Sequence, residues 1–190
     1  MATWEEMEAA LTAQVSGERL AHTYRVVEAA RRLGQIYGAD ADQVATAALL
    51  HDYAKPMKPA QLLAAAERLG LPVDPVERSQ PHLLHGPVAA GLLAEQGLVT
   101  DPDVLKAIAG HTTGRAGMSL LEKIIFLADY VEPGRSFPGV DAIRAEAERD
   151  LDLALLHALD NSLVYVMQRG WLIHPASVHA RNWLLQERQL

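Results

Sequence analysis

The feature that most constrains this chain is an apolar run that ends in a charged pair. Residues 44–50 read Val-Ala-Thr-Ala-Ala-Leu-Leu, and His51 and Asp52 follow directly. A helix with almost no polar surface belongs in the centre of a bundle. An aspartate delivered to that interior must meet a cation or be kept out of the core. The run therefore predicts a buried helix with a compensating charge at its C-terminal end.

The other periodic segments are also predicted to be helices. Alanine and leucine dominate them, and no segment alternates cleanly between apolar and polar residues as a strand does. Ser119 and Glu122 form a capping-box pattern, Asp40 is a predicted N-cap, and the prolines between residues 56 and 81 predict a looped excursion. The chain is thus predicted to be an all-α, single-domain helical bundle over residues 1–190. The predicted helices span about 4–15, 17–37, 41–51, 59–69, 86–96, 102–110, 119–131, 140–148, 150–168 and 176–187.

Composition excludes several classes of protein. The net charge is −7 and the basic residues form no long run, which argues against a nucleic-acid binder. No apolar run approaches the length of a membrane span. The chain has no cysteine, hence no thiolate ligand or thiol nucleophile, and the N-terminus shows no apolar leader. A cytoplasmic location is therefore predicted. A small phosphate ligand stays compatible with the negative charge, because a metal and a few basic side chains can reverse the local field.

Candidate metal ligands lie at the ends of the predicted helices. A second apolar helix, around residues 124–128, leads into Asp129 just as the first leads into Asp52. Two carboxylates on two buried helices need a shared compensating charge. Imidazole and carboxylate together suit iron, manganese, zinc or nickel. The histidines available to join these carboxylates are His22, His51, His85 and His111.

The residues leave two questions open. His22, His51, Asp52 and Asp129 are enough for one divalent ion with positions left for water and substrate. His85 and His111 either bind a second ion or donate hydrogen bonds to a phosphate, so the site holds one or two ions. Considered alone, Asp129 is explained equally well by a cap on a neighbouring helix or a pair with Arg135. The His51–Asp52 dyad alone is explained equally well by an ion pair or by a cation at a helix C-terminus.

Several longer stretches carry a resemblance to a known family. They are residues 49–55, 83–86, 111–115, 118–135, 137–140 and 180–185. These segments resemble the YqeK family of the HD superfamily of metal-dependent phosphohydrolases. The resemblance spans about residues 16–187, and the block from residue 111 to residue 135 is its most specific part.

The resemblance implies a fold of the HD-domain phosphohydrolase type and a symmetrical bis(5′-nucleosyl)-tetraphosphatase activity. Such an enzyme cuts diadenosine tetraphosphate into two ADP by means of a metal-activated water, and iron is the metal implied. By position, the metal ligands are His22, His51, Asp52 and Asp129, and Asp52 and Lys55 are the catalytic residues. The implied substrate contacts are Arg19, Lys55, His85, His111, Thr112 and Arg135.

Other readings remain open from the sequence. One is an HD phosphohydrolase that acts on another nucleotide, for example in pyridine-nucleotide metabolism. Another is a metal-bound nucleotide sensor without turnover. Arg115 is either a phosphate contact or a surface charge, and residues 172–175 either border the nucleoside pocket or form a packed turn. The oligomeric state is open between a monomer and a homodimer.

Overall fold

The computed structural model describes residues 2–189, so Met1 and Leu190 of the predicted domain lie outside the described residues. Over residues 2–189 the regular structure consists of eleven α-helices and one 3₁₀ turn without a strand, which confirms the predicted all-α class. The α-helices are α1 (Trp4–Thr12), α2 (Gly17–Tyr37), α3 (Ala41–Leu50), α4 (Pro59–Arg68), α5 (Pro75–Ser79), α6 (His85–Glu95), α7 (Pro102–Gly110), α8 (Leu120–Val131), α9 (Val140–Ala147), α10 (Leu151–Gln168) and α11 (Pro175–Gln189).

Helices α3 and α8 occupy the centre of the bundle. Every residue from Val44 to Leu50 is buried, and so is the run from Ile124 to Ala128. Helix α3 packs against α1, α2, α7 and α8, while α8 also packs against α2, α7, α9 and α10. The prediction of two helices buried on all sides is confirmed. Both central helices point their C-terminal ends at the same region of the interior.

Local hydrogen bonds begin the helices where the sequence predicts. The side chain of Asp40 accepts from the Gln43 amide at 2.9 Å, at the start of α3. Ser119 and Glu122 form the predicted capping box, in which the Ser119 amide donates to the Glu122 carboxylate at 2.8 Å. These bonds satisfy amides that the first turn leaves without helical partners. They fix the residue at which α3 and α8 each begin.

The proline-rich segment after the His51–Asp52 dyad is more regular than predicted. Its second half contains α5 and a 3₁₀ turn over Pro81–Leu84, where the sequence predicts a loop. Both elements begin at a proline, whose fixed φ suits the first helical position and which has no amide hydrogen to leave unpaired. The loop prediction is wrong here because the prolines start short helices. The 3₁₀ turn runs directly into α6 and delivers His85 to the interior.

A glycine sets the spacing of α6 and α7. A Cβ atom on Gly86 would lie 2.7 Å from the carbonyl oxygen of Ala109 and 2.9 Å from that of Ile108. Only hydrogen fits between these two backbones. The close approach brings His85, at the start of α6, beside His111, which follows α7. None of the helices over residues 2–189 is both long and apolar enough to cross a membrane.

Candidate metal centre

Six titratable side chains converge where five helices meet. Each comes from a helix end or from the residues directly beside one, so the chain needs no long loop to bring them together. They are His22 in α2, His51 and Asp52 directly after α3, His85 at the start of α6, His111 directly after α7 and Asp129 near the end of α8.

The carboxylate of Asp52 lies in the middle of the histidines. Its Oδ1 is 3.2 Å from His85 Nε2 and 3.7 Å from His111 Nε2. Its Oδ2 is 3.7 Å from His51 Nε2 and 4.0 Å from His22 Nε2. Four imidazoles therefore face one carboxylate that is almost completely buried.

The carboxylate of Asp129 completes the group from α8. Its Oδ1 is 3.1 Å from His22 Nε2. Two sets of three ligand atoms each lie within 4.8 Å of one another, one from His22, His51 and Asp129, the other from His51, Asp52 and His111. His51 belongs to both sets, so the two sets form one continuous centre.

Three of the rings are oriented by the backbone of their own helix. In each case Nδ1 lies within hydrogen-bond distance of the carbonyl oxygen three residues earlier. Because a carbonyl only accepts, Nδ1 must carry the proton, and Nε2 keeps its lone pair for the centre. The pairs are His51 with Ala48 at 2.7 Å, His85 with His82 at 2.6 Å and His111 with Ile108 at 2.7 Å.

This donor set fits a divalent cation. In these three rings the lone pairs on Nε2 face the Asp52 carboxylate, and neither kind of atom has a proton to donate to the other. The Nε2 atom of His51 is buried and has no hydrogen-bond partner among the described residues. A buried acceptor without a donor is costly. A cation bound by nitrogen and oxygen ligands would satisfy His51, Asp52 and Asp129 together.

Electrostatics keep the carboxylates charged and two of the rings neutral. Burial alone would raise the pKa of Asp52, but His51, His111, His85 and Lys55 hold it far below its ordinary value. Burial lowers the pKa of His51, and it lowers that of His85 to about 4. At neutral pH these two rings therefore offer lone pairs rather than positive charge.

Three cations border the centre on its outer side. Arg19 donates to Asp52 Oδ2 at 2.8 Å, and Arg135 donates to Asp129 Oδ1 at 2.7 Å. Lys55 Nζ lies 3.8 Å from Asp52 Oδ1. The side chains of the two arginines are 44% and 40% exposed, so both reach from the carboxylates to the surface. This edge is where an anionic ligand can enter.

The remaining predicted contacts lie on the same side. Lys55 Nζ is 3.2 Å from His85 Nε2, and Thr112 Oγ1 is 3.3 Å from that atom and 3.2 Å from His111 Nε2. All ten residues predicted for the site are thus brought together. Their individual roles as ligands, catalytic groups or substrate contacts stay predictions. The Asp129–Arg135 pair, one of the alternatives for Asp129, forms alongside the contact of Asp129 with His22.

Sequence reasoning missed Glu132 and Arg25. Glu132 is buried, and its Oε1 accepts from His22 Nδ1 at 3.1 Å. Its Oε2 accepts from Arg25 Nε at 2.7 Å. His22 is the one ring of the four whose Nδ1 is held by a carboxylate rather than a backbone carbonyl. The spacing of Glu132 three residues after Asp129 was the available signal, because residues three apart share a helix face.

The sequence leaves two questions open about substrate contacts, one for Arg115 and one for residues 172–175, and the structure shows where both lie. Arg115 donates from Nε and from Nη2 to the buried carboxylate of Glu122, both at 2.6 Å. Arg115 therefore braces the start of α8 in this structure. Residues 172–174 are an irregular segment that leads into α11 at Pro175, in which Leu172 is half exposed and His174 is largely covered.

Replacing Glu132 by leucine is expected to weaken metal binding by about 10- to 100-fold, because His22 loses the acceptor that fixes its orientation. Titration against a chromophoric chelator measures this directly. Glu132→Gln keeps an acceptor oxygen and should recover most of the affinity. Glu148→Leu is the matched control, since it breaks an exposed pair with Arg32 far along the chain from these ligands. Equal metal affinity in Glu132→Leu and the control would show that Glu132 does not contribute to metal binding.

Comparison with known proteins places this geometry in a family. Residues 19–134 match the family model described as the HD domain. This chain belongs to the HD-domain family. Members of that family are metal-dependent phosphohydrolases, so the chain is a hydrolase whose family implies a divalent cation, and the buried His and Asp groups fit such an ion.

Two curated relatives match nearly the whole chain. A Bacillus subtilis protein named "Bis(5′-nucleosyl)-tetraphosphatase, symmetrical" is 39% identical over 181 residues, covering 95% of this chain and 97% of the relative. A Halalkalibacterium halodurans protein of the same name is 41% identical over 171 residues, covering 90% and 91%. These matches confirm the family resemblance read from the sequence.

A solved structure has the same fold as this HD-domain chain. It is a Clostridium acetobutylicum protein described as a predicted HD superfamily hydrolase involved in NAD metabolism. The two share 37% sequence identity with a TM-score of 0.94, over 98% of this chain and 99% of the other.

Proposed function

We propose that this HD-domain protein hydrolyses diadenosine tetraphosphate symmetrically into two ADP. The observation that carries the proposal is the centre itself: four imidazoles and two carboxylates border an edge lined by Arg19, Lys55 and Arg135. Such an edge suits a chain of phosphates better than a single one, because three separate cations can contact successive groups. The names of the two curated relatives point to the same substrate.

The proposed ligands of the cofactor are His22, His51, Asp52 and Asp129, and iron is the proposed metal. When bound, a divalent cation neutralises phosphate charge and makes a coordinated water acidic enough to act as a nucleophile near neutral pH. The carboxylates of Asp52 and Asp129 stay ionised and can bind a cation, because the neighbouring charges and hydrogen bonds hold their pKa values low.

Arg19 and Arg135 take a second role in this proposal. Each now donates to a carboxylate of the centre. A cation held at the centre would compensate the charge of these carboxylates, and Arg19 and Arg135 would then be free to donate to non-bridging phosphate oxygens. The guanidinium group of arginine is planar and can donate two parallel hydrogen bonds, so it fixes the orientation of a bound phosphate. Lys55 acts as a point charge beside Asp52 and stabilises the charge that builds up on the phosphoryl oxygens.

His85, His111 and Thr112 form the inner wall of the phosphate site in this proposal. Their Nε2 and Oγ1 atoms lie within 3.0–3.3 Å of one another, so the three groups act as one cluster. With a single ion bound, this cluster would contact phosphate through protons: the Thr112 hydroxyl donates, and His85 and His111 donate only once Nε2 also carries a proton. With two ions bound, His85 and His111 hold the second. We propose residues 1–190 as a single HD domain with a family-like core over about residues 16–187, in a cytoplasmic enzyme with no nucleic-acid partner.

A second candidate is a phosphohydrolase of pyridine nucleotides, which the description of the Clostridium acetobutylicum structure favours. One assay separates the two. Metal-free protein is loaded with ferrous, manganous, zinc or nickel ion under anaerobic conditions and incubated with diadenosine tetraphosphate, mononucleotides and pyridine nucleotides. We expect two ADP per diadenosine tetraphosphate, without AMP or ATP. Failure to release ADP with every metal would overturn the proposal, and turnover of a pyridine nucleotide alone would establish the second candidate.

A further inference from the structure

The turn over residues 132–135, directly after α8, carries two side chains that reach the centre. Glu132 accepts from His22, and Arg135 donates to the Asp129 carboxylate. The backbone of the turn is closed by the Arg135 amide, which donates to the carbonyl oxygen of Glu132 at 2.9 Å, as in a β-turn. The conformation of the 132–135 turn therefore decides where both side chains point.

One arginine outside the centre binds the backbone of this turn. Arg144 lies in α9, and its Nε donates to the carbonyl oxygen of Val131 at 2.7 Å. Its Nη2 donates to the carbonyl oxygens of Glu132 and Arg135, both at 3.2 Å. A single guanidinium group thus contacts the last residue of α8 and both ends of the turn.

The carbonyl groups that Arg144 binds lie where a helix needs donors. Helix α8 ends at Val131, and the last carbonyls of an α-helix have no amide partner within the helix. A cation at this end is also favoured by the helix dipole. Arg135 serves the same helix end, because its Nε donates to the carbonyl oxygen of Asp129 at 3.0 Å. Arg135 and Arg144 thus both bind C-terminal carbonyls of α8.

Packing of α9 fixes the position of Arg144. Val140, Ile143 and Ala147 are the buried residues of this helix, and α9 packs against α8 and α10. The Nη1 atom of Arg144 pairs with the exposed carboxylate of Asp141, one turn earlier. The guanidinium group is therefore held in place by contacts within the protein that involve neither a metal nor a ligand.

A second arginine lies against the turn from α2. Arg25 Nε donates to Glu132 Oε2 at 2.7 Å, and a Cβ atom on Gly134 would lie 2.6 Å from the same Nε, so only glycine fits there. The two arginines act on different parts of the turn. Arg25 holds the side chain of Glu132 and so bears on His22, whereas Arg144 holds backbone carbonyls, that of Arg135 included.

We infer that Arg144 is a positioning residue that keeps Arg135 directed at the phosphate site. The inference rests on the proposed function, in which Arg135 contacts phosphate. Without Arg144, the carbonyls of Val131 and Arg135 lose a donor and must turn toward water. The turn then populates other conformations, and phosphate affinity falls by the fraction of molecules in which Arg135 is still correctly placed. Arg144 itself makes no contact with the ligand.

Inorganic pyrophosphate tests this inference, because it presents phosphate groups without a nucleoside. Manganese-loaded protein is titrated with it by calorimetry. We expect Arg144→Met to weaken pyrophosphate binding by about tenfold, the result of a correctly placed Arg135 in about a tenth of the molecules. The manganese content, measured by elemental analysis, should stay that of the wild type, because Arg25 still holds the Glu132 side chain.

Arg188→Met is the matched control for the loss of a partly exposed arginine. The Arg188 side chain is 34% exposed against 31% for Arg144, and it pairs with Asp150 at the start of α10. This variant should bind pyrophosphate as the wild type does. Thermal unfolding of both variants shows whether stability alone explains a loss of affinity.

A double variant separates positioning from a general structural role. Arg135→Met alone is also expected to lose about tenfold in pyrophosphate affinity, and adding Arg144→Met should cost nothing more, because Arg144 acts through Arg135. Two independent effects would instead multiply to a loss of about a hundredfold. The non-additivity is a property that a merely destabilising substitution does not produce.

Four results would overturn the inference. They are wild-type affinity in Arg144→Met, wild-type affinity in Arg135→Met, a multiplied loss in the double variant, and loss of manganese from Arg144→Met. A wild-type protein that releases no ADP from diadenosine tetraphosphate overturns the proposed function instead. In that case the pyrophosphate titrations still decide the role of Arg144.

Discussion

Asp52→Asn is expected to abolish metal binding and hydrolysis together. The amide keeps the size of the side chain and removes the charge, and the altered group sits between His85, His111 and Lys55 at distances of 3.2–3.8 Å. A neutral amide is a poor ligand for a transition metal. We expect kcat/KM for diadenosine tetraphosphate to fall by about 10³-fold or more. Elemental analysis of the purified variant and product chromatography measure the two effects separately.

Asp103→Asn is the matched control for this change. Asp103 is an exposed aspartate of α7 that pairs with Lys106, and its loss should change neither metal content nor turnover. Circular dichroism should report the same helix content in both variants, because the apolar core does not depend on the Asp52 charge. Wild-type metal content in Asp52→Asn would exclude Asp52 from the coordination sphere, and wild-type turnover would exclude it from the reaction.

Lys55→Met is expected to lower kcat/KM by about 100-fold while the metal content stays that of the wild type. Methionine keeps an unbranched apolar stem and removes the ammonium group, which is a cation and hence not a ligand. Burial lowers the pKa of Lys55, although the Asp52 and Asp129 charges favour its protonated form. Its Nζ nevertheless stays beside Asp52, where a phosphoryl oxygen would gain charge.

Lys58→Met provides the comparison, since Lys58 is exposed and lies at the start of α4. It should be as active as the wild type. Loss of the metal in Lys55→Met would mean that Lys55 supports the centre structurally. Unchanged turnover in that variant would leave phosphate stabilisation to Arg19 and Arg135 alone. The two substitutions, at Asp52 and at Lys55, thus separate the holding of the cofactor from the handling of the phosphates.

Much of the fold was predictable because its signals are local. The run from Val44 to Leu50 is apolar all round, and so is the core of α8, which fixes both at the centre of a bundle. Caps at Asp40 and Ser119 set where these helices begin. With both helices buried, their two carboxylates need a compensating charge, and a shared one brings the two helix ends together. That reasoning, together with the family resemblance, was enough to find the residues that converge.

The parts that escaped prediction depend on long-range or competing contacts. Glu132 meets His22 across 110 residues of sequence, and nothing local tells whether a glutamate beside a helix end faces inward. Arg115 could have served a phosphate, but its Nε and Nη2 both donate to the Glu122 carboxylate, which also caps α8. The short helix α5 was missed because prolines that usually interrupt a helix here stand at its first position.

The fastening of three imidazoles to carbonyls of their own helices has a consequence for how this protein acquires its cofactor. The ring orientations of His51, His85 and His111 are set by hydrogen bonds of 2.6–2.7 Å from Nδ1 to backbone carbonyls. These bonds do not involve an ion. The chain is therefore unlike a zinc finger, whose coordination energy is also its folding energy. The ligand geometry is therefore set before the cofactor binds, and metal removal is expected to leave the helical fold in place.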